Sequence, residues 1–330
     1  MRVFINGIGA VSETACTSAD FAELAGEKDL TAKGQKIEFT STVPGSKLRR
    51  ASRYAKLTVS AADLALADSN TEINDPYRIG AVMASGFGSV EYNRQFSNQV
   101  QKGDPQLCSP SLFSQSVANS ALGNLCMINS IKGEDTMLRG GDPLEYAALL
   151  LKMGKADTML CGETEEWSEE LLNSFAGRDT VTGCTFSEGA AFGKGTEMTD
   201  LTYCEISGFS SANLGLCPLL EKSVDIKESL KKVYRQLSYS ADIIFTAANG
   251  TWFDDAEADS IRDIFGDIPL YAPKKLFGES FGCSYMLSVC LAAAAIKNGS
   301  FKGTPCSSVI VSGFDMAGNY IAVKLTGVKP

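Results

Sequence analysis

The sequence contains no histidine. Imidazole is the usual general base near neutral pH and the usual activator of serine and cysteine nucleophiles, so its absence removes most hydrolase and acyl-transferase mechanisms together. Positive charge is also in short supply: 30 Lys and Arg stand against 39 Asp and Glu, a net charge of −9. Such a chain lacks the basic face that neutralises phosphates, and nucleic acid is excluded as an expected partner. No apolar run approaches the roughly 20 residues that span a membrane. The opening MRVFINGIGAVS reads as a strand and a glycine turn, not as a charged region followed by an apolar signal core. The expected location is cytoplasmic, with no membrane association. Ten cysteines lie scattered without short metal-type spacing, which predicts reduced thiols and neither disulfides nor a metal site. No cofactor is expected.

What is present is a composition suited to a large core, 44% hydrophobic and 21% charged over 330 residues, enough for one large domain or two fused halves. The chain is organised around Asp135 to Glu165, which reads as strand, glycine turn, helix, strand. Gly140 and Gly141 allow a sharp turn, and Asp142-Pro143-Leu144-Glu145 spells an N-cap, a proline at the first helical position and a carboxylate three residues after the cap. Ala147, Ala148, Leu149, Leu150 and Leu151 make this helix apolar nearly all round, which predicts burial between layers. Met159-Leu160-Cys161 then form a short strand ending on Gly162-Glu163. Ile226 to Leu237 and Asp255 to Phe265 read as helices, and Asp242 to Ala248 as a buried strand ending in Asn249-Gly250-Thr251. A helix rich in alanine, Ala292 to Ala295, and capped by Asn298-Gly299 reads as buried between two sheets.

Taken together, these pieces resemble a β-ketoacyl-acyl carrier protein synthase. Gly7-Ile8-Gly9-Ala10-Val11-Ser12 is similar to the family's opening turn, and Gly86-Phe87-Gly88-Ser89 to the turn after its second strand. Gly154-Lys155-Ala156-Asp157 and Cys161-Gly162-Glu163-Thr164-Glu165 resemble the "G-x-A-D" and "G-G-x-E" that follow the nucleophile. Lys274 to Gly282 is similar to "K-x-x-x-G-H-x-x-G", and Phe314-Asp315-Met316-Ala317-Gly318 to the family's "F-G-F-G-G" gate. The resemblance implies an α/β, thiolase-like fold of five layers, αβαβα, with two pseudo-duplicated halves, residues 1–198 and 199–330, around one core.

It also implies that the Cys-His-His catalytic positions are occupied by Met137, Asn249 and Glu279. A thioether cannot form a thioester, and asparagine cannot shuttle a proton at neutral pH. A glutamate, with a reference pKa of about 4.3, opposes a developing oxyanion unless burial protonates it. Losing one general acid or base costs about 10²- to 10⁴-fold, and here the nucleophile is gone as well, so condensation by this chain alone is not expected. If the helix begins at Pro143, its positive end also lies several residues past Met137; an earlier start, with Pro143 inside the first turn, is the other reading.

By the same resemblance, Thr251, Lys274, Phe314 and Met316 would line an acyl or pantetheine pocket, and Arg49, Arg50 and Arg53 would dock an acidic carrier protein. That basic cluster, with Lys47 and Lys56, also reads as the solvated end of the helix that follows. The strand before Leu138 pairs with its twin across the dimer axis in the family. Between Glu165 and Ser187-Glu188-Gly189-Ala190 the chain is much shorter than the family, which removes a wall of the expected pocket. Gly278-Glu279-Ser280-Phe281-Gly282 fits the G-x-S-x-G hydrolase elbow, but the elbow needs a histidine, and glycines for close strand-helix packing are the preferred reading. Cys161 and Cys283 read as buried thiols. Three functions follow. The first is a non-catalytic, chain-length-factor-like subunit in fatty acid, polyketide or aryl-polyene-type assembly, paired with an active ketosynthase or with itself and served by acyl carrier protein. The second is a stand-alone acyl-, pantetheine- or carrier-protein-binding protein. The third is an acyltransferase or thioester hydrolase with an altered site using Glu279 or Ser280.

Overall fold

Alternation along the strands decides which side chains meet inside. The computed structural model describes residues 2–70, 74–103, 105–196, 198–223, 225–237 and 240–328. Its main sheet has strands β1 (Phe4–Val11), β2 (Ile79–Ala84), β3 (Asp135–Leu138), β4 (Thr158–Glu165), β5 (Gly189–Thr196), β6 (Cys204–Asn213), β7 (Ile243–Phe245), β8 (Leu270–Tyr271), β9 (Ser308–Phe314) and β10 (Asn319–Thr326). They lie in the order β3-β2-β4-β5-β1-β6-β10-β9-β7-β8. Two five-strand runs thus meet in the sheet where Phe4 and Ile5 of β1 pair with Glu205 and Cys204 of β6.

Helices α1 (Arg53–Asp68), α2 (Ser120–Ile128), α3 (Pro143–Lys152), α4 (Ile226–Gln236), α5 (Phe253–Phe265) and α6 (Cys283–Asn298) complete five layers. α1 packs on β1, β4 and β5 with α2 beside it, and α4 packs on β6 and β10 with α5 beside it. Between the two runs, α6 touches β4, β5 and β1 on one side and β9, β10 and β6 on the other. Three apolar clusters fill the four interfaces, the central one serving two: Tyr54, Leu57 and Phe192 under α1, Ile5, Phe245 and Val309 on both sides of α6, and Tyr234, Phe253 and Tyr320 under α4 and α5. The expected αβαβα arrangement is the one observed.

Every residue of α6 from Cys283 to Ile296 is buried, as its alanine-rich sequence predicts. Its serines do not disturb that burial, because Ser288 returns its hydroxyl to the Ser284 carbonyl at 2.8 Å and Ser284 donates to the Gly278 carbonyl at 3.3 Å. Pro143 is the first residue of α3 and Asp142 its N-cap, accepting from Leu144 N–H at 2.8 Å, so of the two readings the late helix start is correct.

Three expectations need correction. α3 is buried on one side only: Tyr146, Leu149 and Met153 are exposed, because in this chain no element covers that face. Strand β4 does not stop at Gly162-Glu163 but continues to Glu165, since β5 pairs with it through Gly189. Strand β7 is confined to Ile243–Phe245, its length being set by the parallel partners Val309 to Val311.

Candidate functional site

The site forms where strand ends and turns converge. On β4, Met159 and Cys161 face the central cluster and Leu160 the outer one, so by the two-residue period Glu163 and Glu165 turn inward with them. Thr164 points the other way, its hydroxyl 3.0 Å from that of Thr58 on α1. A cavity of about 160 Å³ opens beyond this inner face. Ala84 to Gly86 after β2, Arg139 to Gly141 between β3 and α3, Glu163, Gly282 and Asp315 to Ala317 between β9 and β10 line it. Gly86 packs closely there: a Cβ on it would lie 3.0 Å from Met316 Cγ and 3.2 Å from Glu165 Oε1.

The carboxylates around the cavity are held by backbone donors. Glu165 accepts from Ser85 Oγ at 3.0 Å, from Phe87 N–H at 3.3 Å and from Gly86 N–H. Burial nevertheless pushes its carboxyl up to about 8. Asp142 is pushed up to about 7 by burial, against the hydrogen bonds from Tyr285 and Leu144 that favour its anion. Glu163 is raised well above the carboxylate range, by burial first and by Asp142 second. Asp315 spends both oxygens on the turn, taking Gly141 N–H at 2.6 Å, Ala317 N–H at 2.8 Å, and Asn319 through N–H at 2.9 Å and Nδ2 at 2.8 Å.

A second polar cluster contains most of the residues singled out by sequence. Glu279 Oε2 accepts from Lys274 Nζ at 2.6 Å and from Asn249 Nδ2 at 2.9 Å, while Asn249 Oδ1 accepts from Thr251 Oγ1 at 2.7 Å. Lys274 Nζ lies 4.0 Å from the centre of the Phe314 ring. The Lys274 and Glu279 side chains are 4% and 0% exposed. The ammonium supplies the countercharge that the sequence did not reveal for Glu279. Asp254 fixes the Asn249 turn by accepting from Asn249 N–H and Gly250 N–H, both at 2.9 Å. Gly250 and Gly183 press together so closely that a Cβ on Gly183 would fall 2.3 Å from the Gly250 carbonyl oxygen.

The short path from Phe175 to Ser187 therefore lies directly on this turn. It also clamps Glu279 through backbone bonds from Glu279 N–H to Thr185 O at 2.7 Å and from Ser187 N–H to Glu279 O at 2.8 Å. Phe281, at φ 54, packs its ring 4.9 Å from Phe87, 5.5 Å from Phe175 and 5.4 Å from Phe186. Phenylalanines occupy the space beside the trimmed wall.

The structure thus brings together Asn249, Thr251, Lys274, Phe314 and Glu279, and places Met316 on the neighbouring cavity. Met137 is set apart: it lies inside β3 opposite Met83 and packs against the outer cluster, while Leu138 packs against the central one. Ser280 is fully buried, 3.1 Å from Ser284 Oγ, which in turn is 3.3 Å from Glu279 Oε1. Burial raises the thiols of Cys161 and Cys283 far above their ordinary value. Arg49 and Arg50 are exposed, whereas Arg53 turns inward to the buried Glu188, with Arg53 Nε 2.9 Å from Oε2. Among the described residues no group of three or more His, Cys, Asp or Glu side chains could hold a metal ion, and no helix is long and apolar enough to cross a membrane. Sequence reasoning overlooked Arg139, Glu163, Glu165 and Asp315 as site residues. The signal for the two glutamates was the alternation begun by Met159 and Cys161, had the strand been carried two residues further.

No protein-family model matches the chain. A putative polyketide beta-ketoacyl synthase 2 of Streptomyces coelicolor is 24% identical over 82% of this chain and 73% of its own length. The tetracenomycin polyketide synthase ketoacyl synthase beta subunit of Streptomyces glaucescens is 23% identical over 90% of this chain and 86% of its own. Among solved structures, the ishigamide ketosynthase/chain length factor superposes with a TM-score of 0.81 at 17% identity, over 99% of both chains. That structural likeness establishes a thiolase-type fold, and over most of its length the chain is similar in sequence to polyketide β-ketoacyl synthases.

Proposed function

We propose that this chain is a non-catalytic, chain-length-factor-like subunit that pairs with an active ketosynthase in the assembly of acyl chains. The observation that carries the proposal is an unfinished surface. β3 ends the sheet, bonded to β2 on one side only, and α3, which follows it, exposes Tyr146, Leu149 and Met153 along one face. An open strand edge beside exposed apolar side chains is a template for another chain. Leu149 and Met153 are 48% and 60% exposed, well beyond what a face buried between layers would show. The absence of histidine and the spent Lys274–Glu279 pair argue against chemistry of its own.

The test is affinity purification of the chain from its native host. A stoichiometric ketosynthase supports the proposal; carrier protein alone favours a stand-alone binding module; recovery of the chain by itself favours an altered catalyst. Leu149→Arg is expected to weaken ketosynthase recovery at least tenfold while leaving the fold intact, because the side chain already lies in solvent. Unchanged recovery would remove α3 from the interface.

Carrier protein docking is assigned to Arg49 and Arg50. Charge reversal of both, measured by surface binding at low and at physiological salt, is expected to weaken association most at low salt. Arg53→Ala is expected to leave that binding nearly unchanged and to lower the melting temperature, since it leaves Glu188 buried without its partner. Equal loss of binding in all three variants would overturn the separation of Arg53 from the docking patch.

A further inference from the structure

A carboxyl oxygen without a protein partner faces the cavity between the β2, β3 and β9 turns. Glu163 is 2% exposed. Its Oε2 accepts from Met286 N–H at 3.2 Å, at the start of α6. No protein hydrogen bond reaches its Oε1 among the described residues, and the side chain lines the cavity. The neighbouring acids are satisfied: Glu165 by Ser85, Gly86 and Phe87, Asp315 by its own turn, and Asp142 by Tyr285 Oη at 2.9 Å and by the N-terminus of α3.

The groups facing Glu163 are Asp142 and Tyr285, Cys283 on α6, Glu165 on its own strand and Asp315 across the cavity. Burial first and the neighbouring carboxyls second keep the proton on Glu163, and with Oε2 committed as an acceptor the proton sits on Oε1. Arg139 lines the wall, exposed and without a salt bridge among the described residues, its charge also felt by Glu165. A donor on the cavity face and a guanidinium at the wall of one small cavity suit a carboxylate. An apolar cavity of about 150 Å³ accommodates benzene, which sets a limit near six heavy atoms.

From this geometry we infer that the cavity binds a short monocarboxylate, of about two to four carbons, with Glu163 donating a hydrogen bond to one oxygen and Arg139 neutralising the charge. The inference goes beyond the pairing role and does not depend on it, because every lining residue belongs to this chain.

The test is titration calorimetry of the purified full chain, or of its complex if a partner co-purifies, with acetate, propionate, butyrate, octanoate and propionamide. The expected result is millimolar binding of the three short acids and none of octanoate. Arg139→Ala should weaken propionate at least tenfold. Glu163→Gln keeps a donor on the cavity side, so it should still bind, but without the decline of about tenfold per pH unit that the parent shows above the Glu163 titration. Absence of saturation by every short acid, equal binding of propionamide, binding of octanoate, or the same pH dependence in Glu163→Gln would each overturn it. A co-purified ketosynthase together with no carboxylate binding would leave the pairing role standing and remove this site.

Discussion

Lys274→Met is expected to destabilise the protein by about 3–5 kcal/mol, the cost of leaving a buried charge without its partner. Lys274 Nζ is the only cation bonded to Glu279 among the described residues, at 2.6 Å, and neither side chain reaches solvent. Asn249 would remain as a donor to the carboxylate, but a neutral amide cannot replace a countercharge. Glu279→Leu alone should be similarly harmful, because it strands the ammonium beneath the Phe314 ring. The double variant Lys274→Met/Glu279→Leu should recover most of the loss, since well-packed apolar replacements of a buried pair are often neutral. Denaturant unfolding of the four proteins gives the coupling between the two positions. If the single losses simply add in the double variant, the two side chains do not act as a pair. The prediction bears on function too, because the resemblance puts Glu279 at one of the family's histidine positions. A pair locked for stability is not available for chemistry.

A second large effect is expected from pH. Asp142 and Glu166 are pushed up to about 7 and Glu165 up to about 8, all by burial first. Each of these groups has a folded pKa above its unfolded one. Its contribution is therefore fully present below about pH 4 and is lost as pH rises through about 7 to 8, where the unfolded chain holds fewer protons than the folded one. The melting temperature is expected to fall by about 5 °C or more between pH 5.5 and pH 8.5. Glu165→Gln should flatten the slope, because glutamine fills the same space and still accepts one of the bonds from Ser85, Gly86 and Phe87. A melting temperature that rises over this window, or an equal slope in the variant, would mean that Glu165 is ionised in the folded protein throughout. Glu166 bonds Tyr54 N–H at 3.1 Å and Glu91 N–H at 3.0 Å, so two helix starts lose part of their support if it is removed.

The local signals in the sequence were reliable where local physics decides the outcome. Asp142 before Pro143 marks the start of α3 that the structure shows, with an earlier start as the other reading, and the alanine-rich run predicts the burial of α6, because capping and side-chain size act over a few residues. The order of the layers came through resemblance and was correct. What could not be read were facts created by distant contacts. Arg53 looked like a surface cation because its partner, Glu188, is 135 positions away. Glu163 and Glu165 looked like the polar end of a strand because nothing nearby in sequence announces that Ser85, Gly86 and Met286 will close around them. The apolar helix α3 misled in the opposite direction. Its Leu149 reads as core by composition, and only the fold shows that this chain leaves it uncovered. The resemblance puts Met137 at the nucleophile position, but whether a strand residue faces the cavity depends on its parity, and Met137 faces the outer cluster while Leu138 takes the inner side.

The position of α6 has a further consequence. Each run of strands uses this helix as part of its own interior, and its burial is complete from Cys283 to Ile296. Parting the runs would expose an unbroken apolar cylinder, so no partial opening along that plane is cheaper than losing both. Fluctuations that bare a whole helix and those that dissolve the molecule become the same event. Breathing is thereby confined to the margins, to the turns around the cavity and the uncovered side of α3, which are the places where a ligand or a second chain would have to enter.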